Sequence, residues 1–280
     1  MIGNKGDSQC YVGVREKVEV IHDKLRERIG SDSEKLKMRL VQPEFSIATS
    51  DGIRNGTKEM RYSLIGREVI NLASVKGDNV VATSRSMMDV SIDNFIQLDP
   101  NGDLSGLDSL PESIDGLLYC PGSISLKSIQ RLDIEDVKED LRINFEGAFH
   151  VIKKVLPNLK KDNGASVVFI SSVAANTGLT FHSSIAASKS ALEGFARSLS
   201  AELAPKVAVN CIAPSLTKTP LTEHLVADEN KLKSSSERHP LNAIGDPIKI
   251  AKVIYNLFSA KENWITGQTI RIDGGLSTLR

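Results

Sequence analysis

From about residue 45 onward, short runs of apolar and β-branched residues alternate with longer segments of helical period, and this alternation restricts the fold more than any other feature of the chain. The strand-like runs are Asn79–Thr83, Phe95–Leu98, Gly116–Tyr119, Ser166–Ile170, Val207–Ile212 and Thr269–Ile272. Between them lie helical segments such as Glu135–Leu156, Ile185–Leu203 and Ile248–Ser259, with Pro247 placed to open the last. Strands separated by whole helices cannot form tight hairpins, so the repeat predicts βαβ units and an α/β architecture. Parallel strands joined by right-handed crossovers give a doubly wound sheet whose ligand crevice lies at the carboxyl ends of the strands.

Residues 1–44 have a different character. Val14, Val18, Ile21, Leu25 and Ile29 recur at three- or four-residue spacing among charged side chains, which predicts an amphipathic N-terminal helical extension packed on the main domain or on a partner subunit. Its acidic residues argue against a mitochondrial transit peptide. Residues 45–280 form the expected main domain. With 40% apolar composition the 280 residues suffice for a full core, and 35 basic residues balance 35 acidic ones. No net field favours nucleic acid or an anionic membrane, so a small molecule is the expected partner. Cys10, Cys120 and Cys211 stand far apart without CxxC spacing and read as reduced thiols, not as a metal site. The sequence has neither a membrane-length apolar stretch nor a signal-peptide pattern, so a soluble cytoplasmic protein is expected.

The most specific segment is Val167-Val168-Phe169-Ile170-Ser171-Ser172-Val173-Ala174-Ala175, followed by Ala187-Ser188-Lys189-Ser190-Ala191-Leu192. Asn210-Cys211-Ile212-Ala213-Pro214-Ser215-Leu216-Thr217-Lys218-Thr219-Pro220 and Trp264-Ile265-Thr266-Gly267-Gln268, with Ile272-Asp273-Gly274-Gly275, complete the set. From roughly Gly66 to the C-terminus the chain resembles the short-chain dehydrogenase/reductase family. The resemblance implies a Rossmann-type, three-layer αβα fold and hydride transfer between a nicotinamide cofactor and a carbonyl or secondary alcohol. It implies that Ser172 binds the substrate oxygen, that Lys189 holds the nicotinamide ribose, and that Asn144 supports a proton relay. The family's acid/base tyrosine should stand four residues before the lysine, where this sequence has Ile185. Isoleucine carries no proton, so His182, Tyr119 or water is left to supply one.

The same resemblance assigns cofactor positions. Counting back from Asn79 puts Gly66 at the last glycine of the phosphate-binding turn; alternatively Phe45–Thr49 is the first strand and residues 50–56, with Gly52 and Gly56, an expanded turn. Neither register restores the family's glycine pattern. Arg85, after the second strand, can meet the 2′-phosphate of NADP and weakly favours it over NAD. Asp99 matches an adenine contact or forms a turn, and Gly122 lets cofactor pass close to a strand end. Pro214, Leu216 and Thr219 would wall the nicotinamide, and Leu221–His239 fits a mobile substrate lid. The long helices imply a homodimer or homotetramer. An oxidoreductase with an altered acid/base is the main expectation, and a non-catalytic Rossmann-type nucleotide- or partner-binding protein the alternative.

Overall fold

The computed structural model describes residues 44–48, 63–85, 94–161, 163–259 and 264–279. The expected N-terminal helix, Cys10 and the stretch with Gly52 and Gly56 lie outside these residues. Seven parallel strands run in chain order: β1 (Glu44–Ala48), β2 (Asn79–Ser84), β3 (Asn94–Gln97), β4 (Gly116–Tyr119), β5 (Ala165–Ile170), β6 (Val207–Pro214) and β7 (Thr269–Ile272). Their order in space is β3-β2-β1-β4-β5-β6-β7. The direction of winding reverses between β1 and β4, which sets the ligand crevice above their carboxyl ends.

Alternation along the strands builds both faces. Leu117, Tyr119, Val167, Phe169, Val209 and Cys211 point to one side. Leu118, Val168 and Ile212 point to the other, because successive side chains in a strand leave opposite faces. The first face is covered by α3 (Gly147–Leu159) and α4 (Ser183–Leu203), and the second by α1 (Leu64–Lys76) and α6 (Pro247–Ser259). Helix α2 (Ile134–Leu141) packs on α4, and α5 (Glu229–Glu237) lies in the expected lid segment. No helix among the described residues is long and apolar enough to cross a membrane.

Within the described residues, each strand and helix read from the sequence is present, with two differences. The first strand is Glu44–Ala48, and the first helix nevertheless starts at Leu64 with Gly66 in its first turn. The two registers weighed for the glycine turn are therefore each half right, and residues 49–63 connect them. The single helix expected over Glu135–Leu156 is interrupted by a π turn, Arg142–Glu146, between α2 and α3. There Asn144 Nδ2 donates to the Asp140 carbonyl oxygen at 2.8 Å, so a side chain takes an acceptor that regular i→i−4 pairing gives to the backbone.

Candidate active site

The end of β5 positions Ser172. Ser171 Oγ donates to Glu193 Oε1 at 2.6 Å, and Asn176 Nδ2 donates to Glu193 Oε2 at 2.7 Å. One buried carboxylate on α4 thus clamps both sides of the loop, and half-buried Ser172 caps the short 3₁₀ turn Val173–Ala175 with its Oγ. One turn earlier on α4, Lys189 is buried and its Nζ donates to the Ile170 carbonyl at 2.7 Å. Burial lowers the Lys189 pKa to about 8, with the nearby Cys211, Cys120, Asp140 and Glu193 pulling the other way. Its ammonium group therefore sits near its neutralisation point at physiological pH.

The β4 end and the π turn meet this lysine. A Cβ added to Gly122 would lie 3.4 Å from Asn144 Oδ1 and 3.7 Å from Lys189 Nζ, so these three residues converge on one small space. Asn144 is fully buried, and its Nδ2 also donates to Ser123 Oγ at 3.1 Å. Ile185 is buried at the start of α4 and presents no ionisable group. His182 caps the same helix, three residues before Ile185, half-buried, with Nδ1 2.7 Å from the Thr180 carbonyl. A carbonyl partner requires a proton on Nδ1. Tyr119 lines the groove that also holds Arg85, Asp99 and Arg142, but its side chain is already engaged. Its hydroxyl donates to the Ile143 carbonyl at 2.9 Å, its ring packs edge-on against Phe169, and burial raises its pKa. A Cβ on Gly147 would run into the Tyr119 hydroxyl, which makes glycine necessary there.

Several residues that the resemblance assigns to the adenosine side lie near one another. Arg85, Asp99, Pro100, Asn101, Pro121 and Arg142 line one groove at the ends of β2 and β4. Asp99 Oδ1 accepts from the Asn101 amide at 2.9 Å, so the residue forms its turn as well as lining the groove. Arg142 is held by Glu139, whereas the buried Arg85 Nε has no hydrogen-bond partner among the described residues. Gly66 is buried in the first turn of α1, where its N–H donates to Ser63 Oγ at 3.2 Å. Pro214 ends β6; the Thr219 hydroxyl, half-buried beyond Leu216, bonds Thr222 Oγ1 at 3.1 Å. The lid segment contains α5 and ends on buried His239, bonded through Nε2 to Ser215 Oγ at 2.9 Å. Burial pushes the Cys120 and Cys211 thiols up to about 12, which leaves them un-ionised and unsuited to nucleophilic attack.

Sequence reasoning missed four polar residues around these positions: Glu193, and buried Asp140 with Ser123 and Ser184, whose hydroxyls donate to its carboxyl at 2.5 and 2.6 Å. For Glu193 a signal existed, since it stands four residues beyond Lys189, on the flank of the apolar stripe Ile185, Leu192, Ala196, Leu199 and Leu203.

Comparison with known proteins agrees with the geometry. The family model described as enoyl-(acyl carrier protein) reductase matches residues 107–277. The chain is 30% identical over 239 residues to the 3-oxoacyl-(acyl-carrier-protein) reductase FabG of Aquifex aeolicus, covering 85% of this chain and 92% of that one. It is 36% identical over 148 residues to human dehydrogenase/reductase SDR family member 4, covering 51% and 53% respectively. Among solved structures, the ligand-free aldohexose dehydrogenase of Thermoplasma acidophilum superposes with TM-score 0.74 at 23% identity, over 85% of this chain and 96% of that one. A variant of ElxO with NADPH bound superposes with TM-score 0.71 at 25% identity, over 84% and 98%. The chain belongs to the short-chain dehydrogenase/reductase family of NAD(P)-dependent oxidoreductases.

Proposed function

We propose that the protein transfers hydride between NADP(H) and a small carbonyl or secondary-alcohol substrate, with Ile185 at the place of the family's acid/base tyrosine. The observation that carries this reading is the convergence of Gly122, Asn144 and buried Lys189 above the sheet's switch point. A buried ammonium group with a neighbouring glycine is a space shaped for a ribose, and the side chain of any other residue at 122 would narrow it. The bound nicotinamide would supply the hydride. Lys189 would hold its ribose hydroxyls, Ser172 would donate to the substrate oxygen, and Pro214, Leu216 and Thr219 would bound the ring. Arg85, whose buried Nε has no hydrogen-bond partner among the described residues, supports a 2′-phosphate and hence NADP over NAD. A phosphate at α1 would have to displace Ser63 Oγ from the Gly66 amide. The proton is left to a group other than residue 185, and His182 Nε2 is one candidate. The names of the FabG relatives favour a carbonyl substrate.

The experiment is a titration with NADPH and NADH, read by cofactor fluorescence and thermal stability. Cofactor at a hundred times its Kd is expected to stabilise the fold by about 2.7 kcal/mol. Arg85→Ala is expected to weaken NADPH roughly tenfold and NADH little, as loss of one charged phosphate contact implies. Absence of binding at millimolar cofactor overturns the reading. Binding without turnover on a carbonyl panel replaces it with that of a non-catalytic nucleotide-binding protein. A homodimer or homotetramer in the cytoplasm completes the proposal, supported by an exposed aromatic surface on α3.

A further inference from the structure

One buried histidine ties the lid segment to the candidate site and has no part in the reading above. Helix α5 buries only Ser235 among its nine residues, so packing of the helix does little to place the lid. His239, two residues beyond the helix, is 1% exposed. Its Nδ1 lies 2.8 Å from the Ser235 carbonyl oxygen, and its Nε2 lies 2.9 Å from Ser215 Oγ. The carbonyl requires a proton on Nδ1, whereas the Ser215 hydroxyl can donate to Nε2 or accept from it. In both cases the ring joins the C-terminal end of the lid to the residue between Pro214 and Leu216. An apolar side chain would fill the same space without burying two ring nitrogens, so what the imidazole adds is this pair of hydrogen bonds.

The wall that Ser215 belongs to is braced by the chain that follows the lid. The Gly245 N–H donates to the Leu216 carbonyl at 2.8 Å, the Lys218 N–H donates to the Gly245 carbonyl at 3.1 Å, and Thr217 pairs with Gly245 in a parallel bridge. A Cβ on Gly245 would run into Thr217 Oγ1, so glycine lets the two segments lie this close. Beside His239, the Leu241 N–H donates to the Gly274 carbonyl at 3.1 Å. At the other end of the lid, Thr222 Oγ1 lies 3.1 Å from Thr219 Oγ1 and donates to the Thr217 carbonyl. The lid thus leaves the wall at Thr219 and returns to it at His239, fastened at each end through a hydroxyl group of the wall. A shift of residues 215–219 against a bound ring is passed to both ends of the lid.

We propose that His239 is a positioning residue that couples the lid to the nicotinamide wall through Ser215, so that seating the nicotinamide orders the lid over the substrate. The inference rests on the NADP(H) reading above, which assigns Pro214, Leu216 and Thr219 to that wall. A bound ring favours one placement of the wall, and the Ser215–His239 bond made in that placement favours the closed lid. His239 acts through Ser215 and through the lid, and touches neither cofactor nor substrate.

The test uses the full chain and reads amide hydrogen exchange across residues 221–238 without ligand, with NADPH, and with adenosine 2′,5′-bisphosphate, which lacks the nicotinamide. NADPH is expected to slow exchange there in wild type, and the bisphosphate to leave it unchanged. In the NADPH complex, Ser215→Ala and His239→Asn should exchange roughly fivefold to fiftyfold faster than wild type, with NADPH affinity within about threefold. The asparagine amide reaches only the Nδ1 position, whereas that of His239→Gln reaches the Nε2 position and should restore most of the protection. Any carbonyl turned over should show KM raised by a similar factor with kcat little changed, a split that general loosening of the fold does not produce. Equal protection in wild type and Ser215→Ala, equal protection by the bisphosphate and NADPH, or a glutamine variant no better than the asparagine one overturns the coupling. Should the His239 variants fail to fold, Ser215→Ala, which removes a single hydroxyl, carries the test. Failure of NADPH to bind wild type overturns the oxidoreductase reading instead, and the free proteins then still decide the tie, since lid exchange unchanged by Ser215→Ala overturns it.

Discussion

Lys189 shows how a single residue trades stability for a site. An ordinary lysine titrates near 10.5, and burial brings this one to about 8. Between those values the unfolded chain holds a proton that the folded chain has released, so folding stability rises as pH climbs from about 8 to 10.5. Below pH 8 both states are protonated, and the full cost of a buried ammonium group is present. Replacing it by methionine of similar length removes that cost at neutral pH but leaves the Ile170 carbonyl without its donor. Lys189→Met is expected to be about 1–3 kcal/mol more stable than wild type at pH 6–7, with the gain gone by about pH 10.5. Chemical denaturation at several pH values measures it. The same variant should lose NADPH affinity. In wild type that affinity should fall as pH rises through about 8, because the charged form is the one that binds. A pH-independent difference in stability between the two proteins would contradict this account of the lysine.

At the scale of the element, legibility from sequence followed the distance over which the controlling interaction acts. The strands were legible because a period of two and β-branched composition are local properties, and β4 and β7 lie where the pattern puts them. The first strand was harder to place, since counting glycines back from Asn79 gave Gly66 while the strand ends at Ala48. The π turn was not legible. The helical spacing of apolar residues carries on from Val137 and Leu141 to Ala148, Val151 and Val155, and the interruption comes from one side-chain bond, Asn144 to the Asp140 carbonyl. Asp140 and Glu193 escaped for a related reason. An acidic residue in a helix reads as solvated, and the serines that engage Asp140 come from 17 and 44 residues away. This account makes the π turn depend on Asn144. Asn144→Ala strands the Asp140 carbonyl and removes a donor from Ser123, which should cost about 1–3 kcal/mol and lower Tm by roughly 2–10 °C. Calorimetry on the variant decides it, and an unchanged Tm would mean that the turn is set by the surrounding packing.

At the scale of the whole molecule, the described residues close the core around the sheet but leave an aromatic surface on α3 unfinished. Phe169 on β5 packs at 6.0 Å from Phe195 on α4, and Phe195 in turn lies 5.8 Å from Phe145 and 6.0 Å from Phe149. The row thus runs outward from the sheet to α3, where Phe149 remains 42% exposed, with Ile134 at the start of α2 exposed at 62%. A large apolar side chain at the end of a continuous core cluster is where a second subunit gains most, because its burial extends packing that already exists. A twofold axis against α3 and α4 would set Phe149 against its counterpart, so one charged substitution places two like charges at the contact. Phe149→Glu is therefore expected to reduce the mass measured by light scattering from that of a dimer to a monomer, or from that of a tetramer to a dimer. The far-ultraviolet circular dichroism should not change, since residue 149 contributes little to the subunit's own interior. A wild-type protein already monomeric at micromolar concentration, or a Phe149→Glu variant of unchanged mass, would place the interface elsewhere and leave the exposed phenylalanine to another role.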